Sequence, residues 1–228
     1  MAEERTSDEF SWARFEAMPI VGILRGFTSR QTLLAIEAAA RGGITTVEVT
    51  LDTDGAEAMI AALRERFDGA LHVGAGTVRS TGDLDGALRA GAQFIVTPVV
   101  LPDVIRAAGE RGVPIFAGAL TPSEIHTAWS LGADLVKVFP ANLFGPSYIR
   151  DLRGPLRGAR LMPTGGVTVE TIGEYRRAGA EAFGLGSPLF ARERVEAADF
   201  EWIEEQAKRF VALLRGDEAT SRGAPPAG

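Results

Sequence analysis

The sequence predicts an α/β protein whose eight strand–helix units close into a TIM (β/α)8 barrel with an extra N-terminal helix. Three observations carry the prediction. Eight short apolar, β-branched runs recur: PIVGIL from Pro19, ITTVEV from Ile44, LHVGAG from Leu71, QFIVT from Gln93, VPIFAG from Val113, DLVKVF from Asp134, ARLMPT from Ala159 and EAFGLG from Glu181. They begin about 20 to 27 residues apart, the length of one strand, one helix and two loops. Between them lie segments such as SRQTLLAIEAAARGG, with apolar positions at helical spacing and a terminal Gly that stops the helix. Several units also finish alike, in Ala90-Gly91-Ala92, Gly132-Ala133 and Ala178-Gly179-Ala180, as repeated βα units would. An open doubly wound sheet is the alternative. It would carry a glycine fingerprint for a nucleotide after its first strand, and Gly22-Ile23-Leu24-Arg25-Gly26 is not one.

The extra helix is expected over residues 7–17, closing the bottom of the barrel, and a final amphipathic helix over 198–215. Residues 1–216 then form a single barrel domain. The stretch 217–228, the end of the polar GDEATSRGAPPAG, is expected to be a disordered tail.

Composition narrows the function. The 228 residues carry a net charge of −6, so the overall field does not favour nucleic acid or anionic membranes. Without cysteine there are no disulfides and no thiolate metal sites, and the two histidines, His72 and His126, cannot build a histidine-rich metal centre. No metal or other cofactor is therefore expected. No apolar stretch is long enough for a membrane span, and the charged N-terminus MAEERTSDEF lacks the apolar core of a secretory signal, so a cytoplasmic protein is expected.

In such a barrel the chemistry sits at the C-terminal ends of the strands. Period-2 alternation turns Val47, Val49 and Leu51 towards the helices and Thr46, Glu48 and Thr50 into the barrel. The same rule points Leu135, Lys137 and Phe139 inward. A charge inside an apolar strand is costly unless it is paired or used. Lys137 and Glu48 are thus either a buried structural ion pair, which adds little net stability, or a nucleophilic amine with an acid/base carboxyl. Burial favours the second use: it promotes the neutral amine of a lysine and the protonated form of a carboxyl group.

Two glycine-rich segments follow the seventh and eighth strands. Thr164-Gly165-Gly166, read as opening a helix, and Gly184-Leu185-Gly186-Ser187 stand where this fold commonly holds phosphate on backbone amides. Each alone is an ordinary turn. Arg25 shares a face with Ile23 and Val21, which makes it a clamp for a substrate carboxylate or else a solvated charge. Thr77 is a donor at the mouth or a helix N-cap, and Pro98 and Phe139-Pro140 supply rigid apolar walls.

With these residues in view, the stretch from about Pro19 to about Leu189 resembles the 2-keto-3-deoxy-6-phosphogluconate (KDPG) and 4-hydroxy-2-oxoglutarate aldolase family. The segments VGILRG, GGITTVEVTL, VGAGTV, GAQFIVTP, DLVKVFPA, MPTGGV and FGLGSPLF carry the resemblance in order. It implies a metal-free class I aldolase, usually a homotrimer, cleaving KDPG to pyruvate and glyceraldehyde 3-phosphate. Lys137 would form the Schiff base and Glu48 would move protons through a water. Gly165, Gly166, Gly186 and Ser187 would hold the phosphate, and Thr77, Pro98, Phe139 and Thr164 would line the site. Many family members carry Arg where this chain has Asp52, which leaves anion binding to Arg25. FGLGSPLF resembles the enzymes acting on the galactonate epimer, and MPTGGV those acting on the gluconate. Activity on 2-keto-3-deoxy-6-phosphogalactonate or 4-hydroxy-2-oxoglutarate is therefore an alternative. A different phosphosugar barrel enzyme, or a catalytically silent binding protein for such acids, is the reading outside the family.

Overall fold

Every strand of a closed barrel serves two surfaces, one packed on the interior and one on the surrounding helices. The computed structural model describes residues 9–221. Its strands are β1 Ile20–Leu24, β2 Thr46–Thr50, β3 His72–Gly76, β4 Ile95–Val96, β5 Ile115–Ala119, β6 Leu135–Val138, β7 Leu161–Pro163 and β8 Phe183–Leu185. They pair in parallel in the order β7-β6-β5-β4-β3-β2-β1-β8, and a parallel bridge between Thr164 and Gly184 joins the two ends. The helices are α1 Trp12–Ala17, α2 Ser29–Arg41, α3 Ala56–Arg66, α4 Thr81–Arg89, α5 Pro102–Glu110, α6 Pro122–Ser130, α7 Gly145–Arg153, α8 Ile172–Arg177, α9 Arg192–Glu196 and α10 Phe200–Ser221. This is the TIM barrel that the sequence predicts.

Local chemistry sets the helix starts. Thr28 with Gln31 and Thr121 with Glu124 form reciprocal capping boxes at α2 and α6, and the Ser80 hydroxyl accepts from the Asp83 amide at α4. Apolar faces then join the strands to the helices in one large outer core that includes Val47, Val49, Ile36, Ile60, Leu84 and Ile105. A second, smaller core fills the lower barrel with Phe10, Phe15, Val21, Phe94, Val96, Phe116, Leu135, Met162 and Ala182.

The N-terminal helix is shorter than residues 7–17. Ser11 caps it by accepting from the Arg14 amide, so it begins at Trp12. Phe10, just before the cap, stacks on His72 at 4.3 Å and on Phe94 at 5.5 Å, so this segment closes the bottom of the barrel. At the other terminus, α10 continues to Ser221, past the expected end at Arg215 and into the stretch expected to be disordered. One glycine inside a helix costs only about 1 kcal/mol relative to alanine, and Asp217-Glu218-Ala219 do not stop a helix. The rest of that expected tail, 222–228, lies outside the described residues. Among the described residues no helix is long and apolar enough to cross a membrane.

Candidate active site

The upper barrel interior holds the Lys137–Glu48 pair. Register places Lys137 between Gly118 of β5 and Met162 of β7, and Glu48 between Ile23 of β1 and Gly74 of β3. Both side chains point inward, as alternation requires, and the amine lies 3.5 Å from Glu48 Oε1. The Glu48 side chain is fully buried and that of Lys137 is 10% exposed. Gly76 is the room-maker here: a Cβ on it would sit 2.7 Å from Glu48 Oε1. At 3.5 Å the ion pair is long for a hydrogen bond, and neither Glu48 oxygen has another partner among the described residues. Burial pushes the Glu48 carboxyl above the usual carboxylate range, against the opposing charges of Lys137 and, more weakly, Arg25. Such a pair can add an amine to a carbonyl and pass protons beside it.

Above the pair lies a cavity of about 360 Å³, and it gathers the candidates that the sequence had scattered. Arg25, Thr77, Pro98, Lys137, Phe139, Thr164, Gly165, Gly166, Gly186 and Ser187 all line it, and Glu48 reaches it through Lys137. Arg25 is not merely solvated. It pairs with the Asp52 carboxylate and donates from Nη2 to Thr77 Oγ1 at 2.9 Å. Thr77 is not the helix cap, since Ser80 holds that place; it has a left-handed backbone with φ 57°. That conformation is strained for a β-branched residue, by about 1–3 kcal/mol, and is typical of residues held for function. Thr97 Oγ1 accepts from the Gly118 amide at 3.2 Å and donates to Val99 O at 2.8 Å, which secures the turn carrying Pro98.

The glycine segments lie on one side of the cavity. Gly165 and Gly166 have φ of 88° and 74°, values that L side chains rarely adopt, and a Cβ on Gly166 would meet Asn142. They do not open a helix directly as expected, because α8 begins only at Ile172, after a turn at Thr168–Thr171. The glycine amides here are thus presented by a loop rather than by a helix end. Thr164 is buried with its hydroxyl turned inward, and that hydroxyl's bond to Met162 O is long at 3.4 Å. Gly184 permits this, since any Cβ there would collide with the Thr164 side chain. The hydroxyl neither caps α8 nor binds the glycine backbone.

Arg192 also lines the cavity and was missed in the sequence. It stands six residues past Gly186, beyond a search confined to strand ends; extending that search to the first turn of the following helix would have found it. Phe27 and Phe190, two more walls, were missed for the same reason. Among the described residues there is no group of three or more histidine or acidic side chains suited to holding a metal ion.

A TIM barrel with an inward lysine beside a buried carboxyl under an anion-ready cavity defines a class: the lysine-dependent aldolases that act on keto acids. Comparison with known proteins agrees. Residues 13–206 match the family described as KDPG and KHG aldolase, and the chain belongs to this family. It is 35% identical over 200 residues to the 2-dehydro-3-deoxy-6-phosphogalactonate aldolase of Escherichia coli K12, covering 87% of this chain and 95% of that one. It is 34% identical over 204 residues to the 2-dehydro-3-deoxy-phosphogluconate aldolase of Treponema pallidum, covering 88% and 97%. Among solved structures, the KDPG aldolase of Legionella pneumophila with pyruvate captured as a covalent carbinolamine superposes with a TM-score of 0.79 at 27% identity, covering 86% of this chain and 95% of that chain. The chain is a class I aldolase, a carbon–carbon lyase.

Proposed function

We propose that this aldolase cleaves KDPG to pyruvate and glyceraldehyde 3-phosphate, with Lys137 as the Schiff-base nucleophile and Glu48 as the proton carrier. The buried Lys137–Glu48 contact at 3.5 Å is the observation that carries the reading. The Lys137 amine attacks C2 of the keto acid, and the resulting carbinolamine loses water to leave an iminium ion. Glu48 takes the proton of the C4 hydroxyl as the C3–C4 bond breaks, and the electron pair of that bond passes into the enamine. Glyceraldehyde 3-phosphate departs, Glu48 returns the proton to C3, and water releases pyruvate. A carboxyl group held above its usual range is suited to this two-way transfer. Thr77 and Arg25 receive the carboxylate, Pro98 and Phe139 wall the reacting carbons, and Gly165, Gly166, Gly186 and Ser187 hold the phosphate.

The gluconate epimer is favoured because Thr164 offers a hydroxyl held only by a long bond, 3.4 Å to Met162 O, that can turn to C4, the carbon at which the two epimers differ. The galactonate epimer is the second reading, favoured by Asp52, which stands where many gluconate enzymes carry Arg. Thr164→Val keeps the volume and removes the hydroxyl, so kcat/KM should shift towards the galactonate form by about tenfold. An unmoved ratio sinks the assignment of Thr164.

Copies of the chain associate into a closed cyclic oligomer, a trimer. Support lies in three large apolar residues left exposed on the loops after β4 and β6: Val99, Leu143 and Phe144. Light scattering that gives a monomer at all concentrations would exclude this. The aldolase mechanism itself is tested by incubation with pyruvate and borohydride. Covalent trapping on Lys137 is expected, and absence of trapping rejects the mechanism.

A further inference from the structure

The substrate proposed above carries an anion at each end, and two arginines line the cavity, Arg25 and Arg192. Their surroundings differ. Arg25 projects from the end of β1, pairs with Asp52 and donates to Thr77, and its charge is felt by Glu48. Strand register sets it two residues above Ile23, the β1 neighbour of Glu48, and it shares the cavity wall with Lys137, so it stands at the end where the lysine works. A substrate carboxylate is bonded to the carbon that the lysine attacks, so it belongs at this end too. Arg192 enters from the first turn of α9, just past the Gly186-Ser187 segment, with its guanidinium 5.1 Å above the Phe27 ring. It donates to the carbonyls of Arg25 at 3.3 Å and Gly26 at 3.5 Å, and to Glu196 at 3.3 Å. All three bonds are long, and the Glu196 pair is an exposed i,i+4 contact of the weak kind. This guanidinium is thus steered towards the cavity by Phe27 yet readily exchanges its partners.

We propose that Arg192 is a specificity-determining residue that binds the substrate phosphate, so that the chain reads its two substrate anions with two different arginines. The proposal rests on the keto-acid aldolase reading given above. Loop amides at Gly165, Gly166 and Gly186 supply neutral donors; a dianionic phosphate also recruits a planar, permanently charged fork. Asp52 adds to the asymmetry. It offsets the charge of Arg25, which suits a singly charged carboxylate, and leaves the stronger demand of the phosphate to Arg192.

The test compares Arg192→Ala and Arg192→Lys with the parent on KDPG, on its unphosphorylated counterpart, and in borohydride trapping with pyruvate. Arg192→Ala should lower kcat/KM for KDPG by about ten- to a hundredfold, mainly through KM. The preference for the phosphorylated over the unphosphorylated substrate should collapse by the same factor, and Arg192→Lys should restore part of it. The pyruvate concentration for half-maximal trapping should stay within about twofold of the parent, because pyruvate has no phosphate. An unchanged preference overturns the proposal. So does an equal loss on both substrates accompanied by weaker trapping, which would make Arg192 a structural tie to the Arg25 and Gly26 carbonyls. Failure of the parent to trap pyruvate is a different result: it rejects the aldolase reading, and the proposal with it.

Discussion

Thr46 and Glu48 are two residues apart on β2 and face the same interior, yet they live under opposite rules. At the bottom, Thr46 bonds His72 Nδ1 at 3.1 Å, and the other ring nitrogen of His72 accepts from the Ser11 amide at 3.0 Å. Phe10, Phe15, Phe94 and Phe116 pack around them with neighbouring ring centres 5.2 to 6.1 Å apart, as aromatic pairs prefer. Two residues higher on the same strand, Glu48 is as buried as Thr46 but among the described residues has only the long contact to Lys137. A fold selected for stability alone fills its polar groups' demands, as Thr46 and His72 do for each other. The top leaves a carboxyl group under-satisfied, beneath the cavity lined by Lys137. The difference teaches that stability and reactivity are layered along one barrel axis.

The layering can be broken from either end. Lys137→Met should abolish turnover and pyruvate trapping, and alone it should also lower the melting temperature because it leaves Glu48 buried without its partner; in the double variant with Glu48→Gln the melting temperature should hold or rise, because both members of the buried pair are then replaced by uncharged groups. A large loss of stability in that double variant would make the pair structural. Glu48→Gln alone should slow turnover by about 10²–10⁴-fold yet still permit trapping, as expected for a lost proton carrier. Unchanged turnover would reduce Glu48 to a partner of Lys137. At the bottom the effect is reversed in kind. Phe116→Ala should cost about 3–5 kcal/mol in denaturant unfolding, and the protein that remains folded should keep its kcat.

The smallest and sharpest test uses pH. Burial, helped by Arg14 and Arg64, lowers the His72 pKa from its ordinary 6.5 to about 4. The unfolded chain therefore takes up a proton between these values while the folded chain does not. His72 contributes full stability above pH 6.5 and loses it as pH falls towards 4, by on the order of 3 kcal/mol. Glu48 runs the other way: its raised folded pKa favours the native state at low pH and loses that contribution as pH rises. The stability difference between parent and His72→Gln should thus shrink between pH 6.5 and 4, and that between parent and Glu48→Gln should not. A flat His72 difference would mean that the bottom layer tolerates the charge.

The sequence by itself determined the eight βα units, their parallel order and the inward direction of Lys137 and Glu48. These follow from alternation and local capping, which depend on neighbours two to four positions away. It also marked the glycine segments and Arg25, because strand ends are where this fold keeps its chemistry. The element ends were less legible. Gly216 and the glycines after β7 read as helix punctuation, yet α10 runs through the first and α8 starts well past the others. Only the tertiary structure paired Arg25 with Asp52 and Thr77, put Gly76 under Glu48, turned the Thr164 hydroxyl against the bare Gly184, and brought Arg192 to the cavity from beyond the last strand. Each of these is a contact between segments far apart in the chain. Such contacts arise from closing the barrel, and no local pattern of polarity encodes the distance across it.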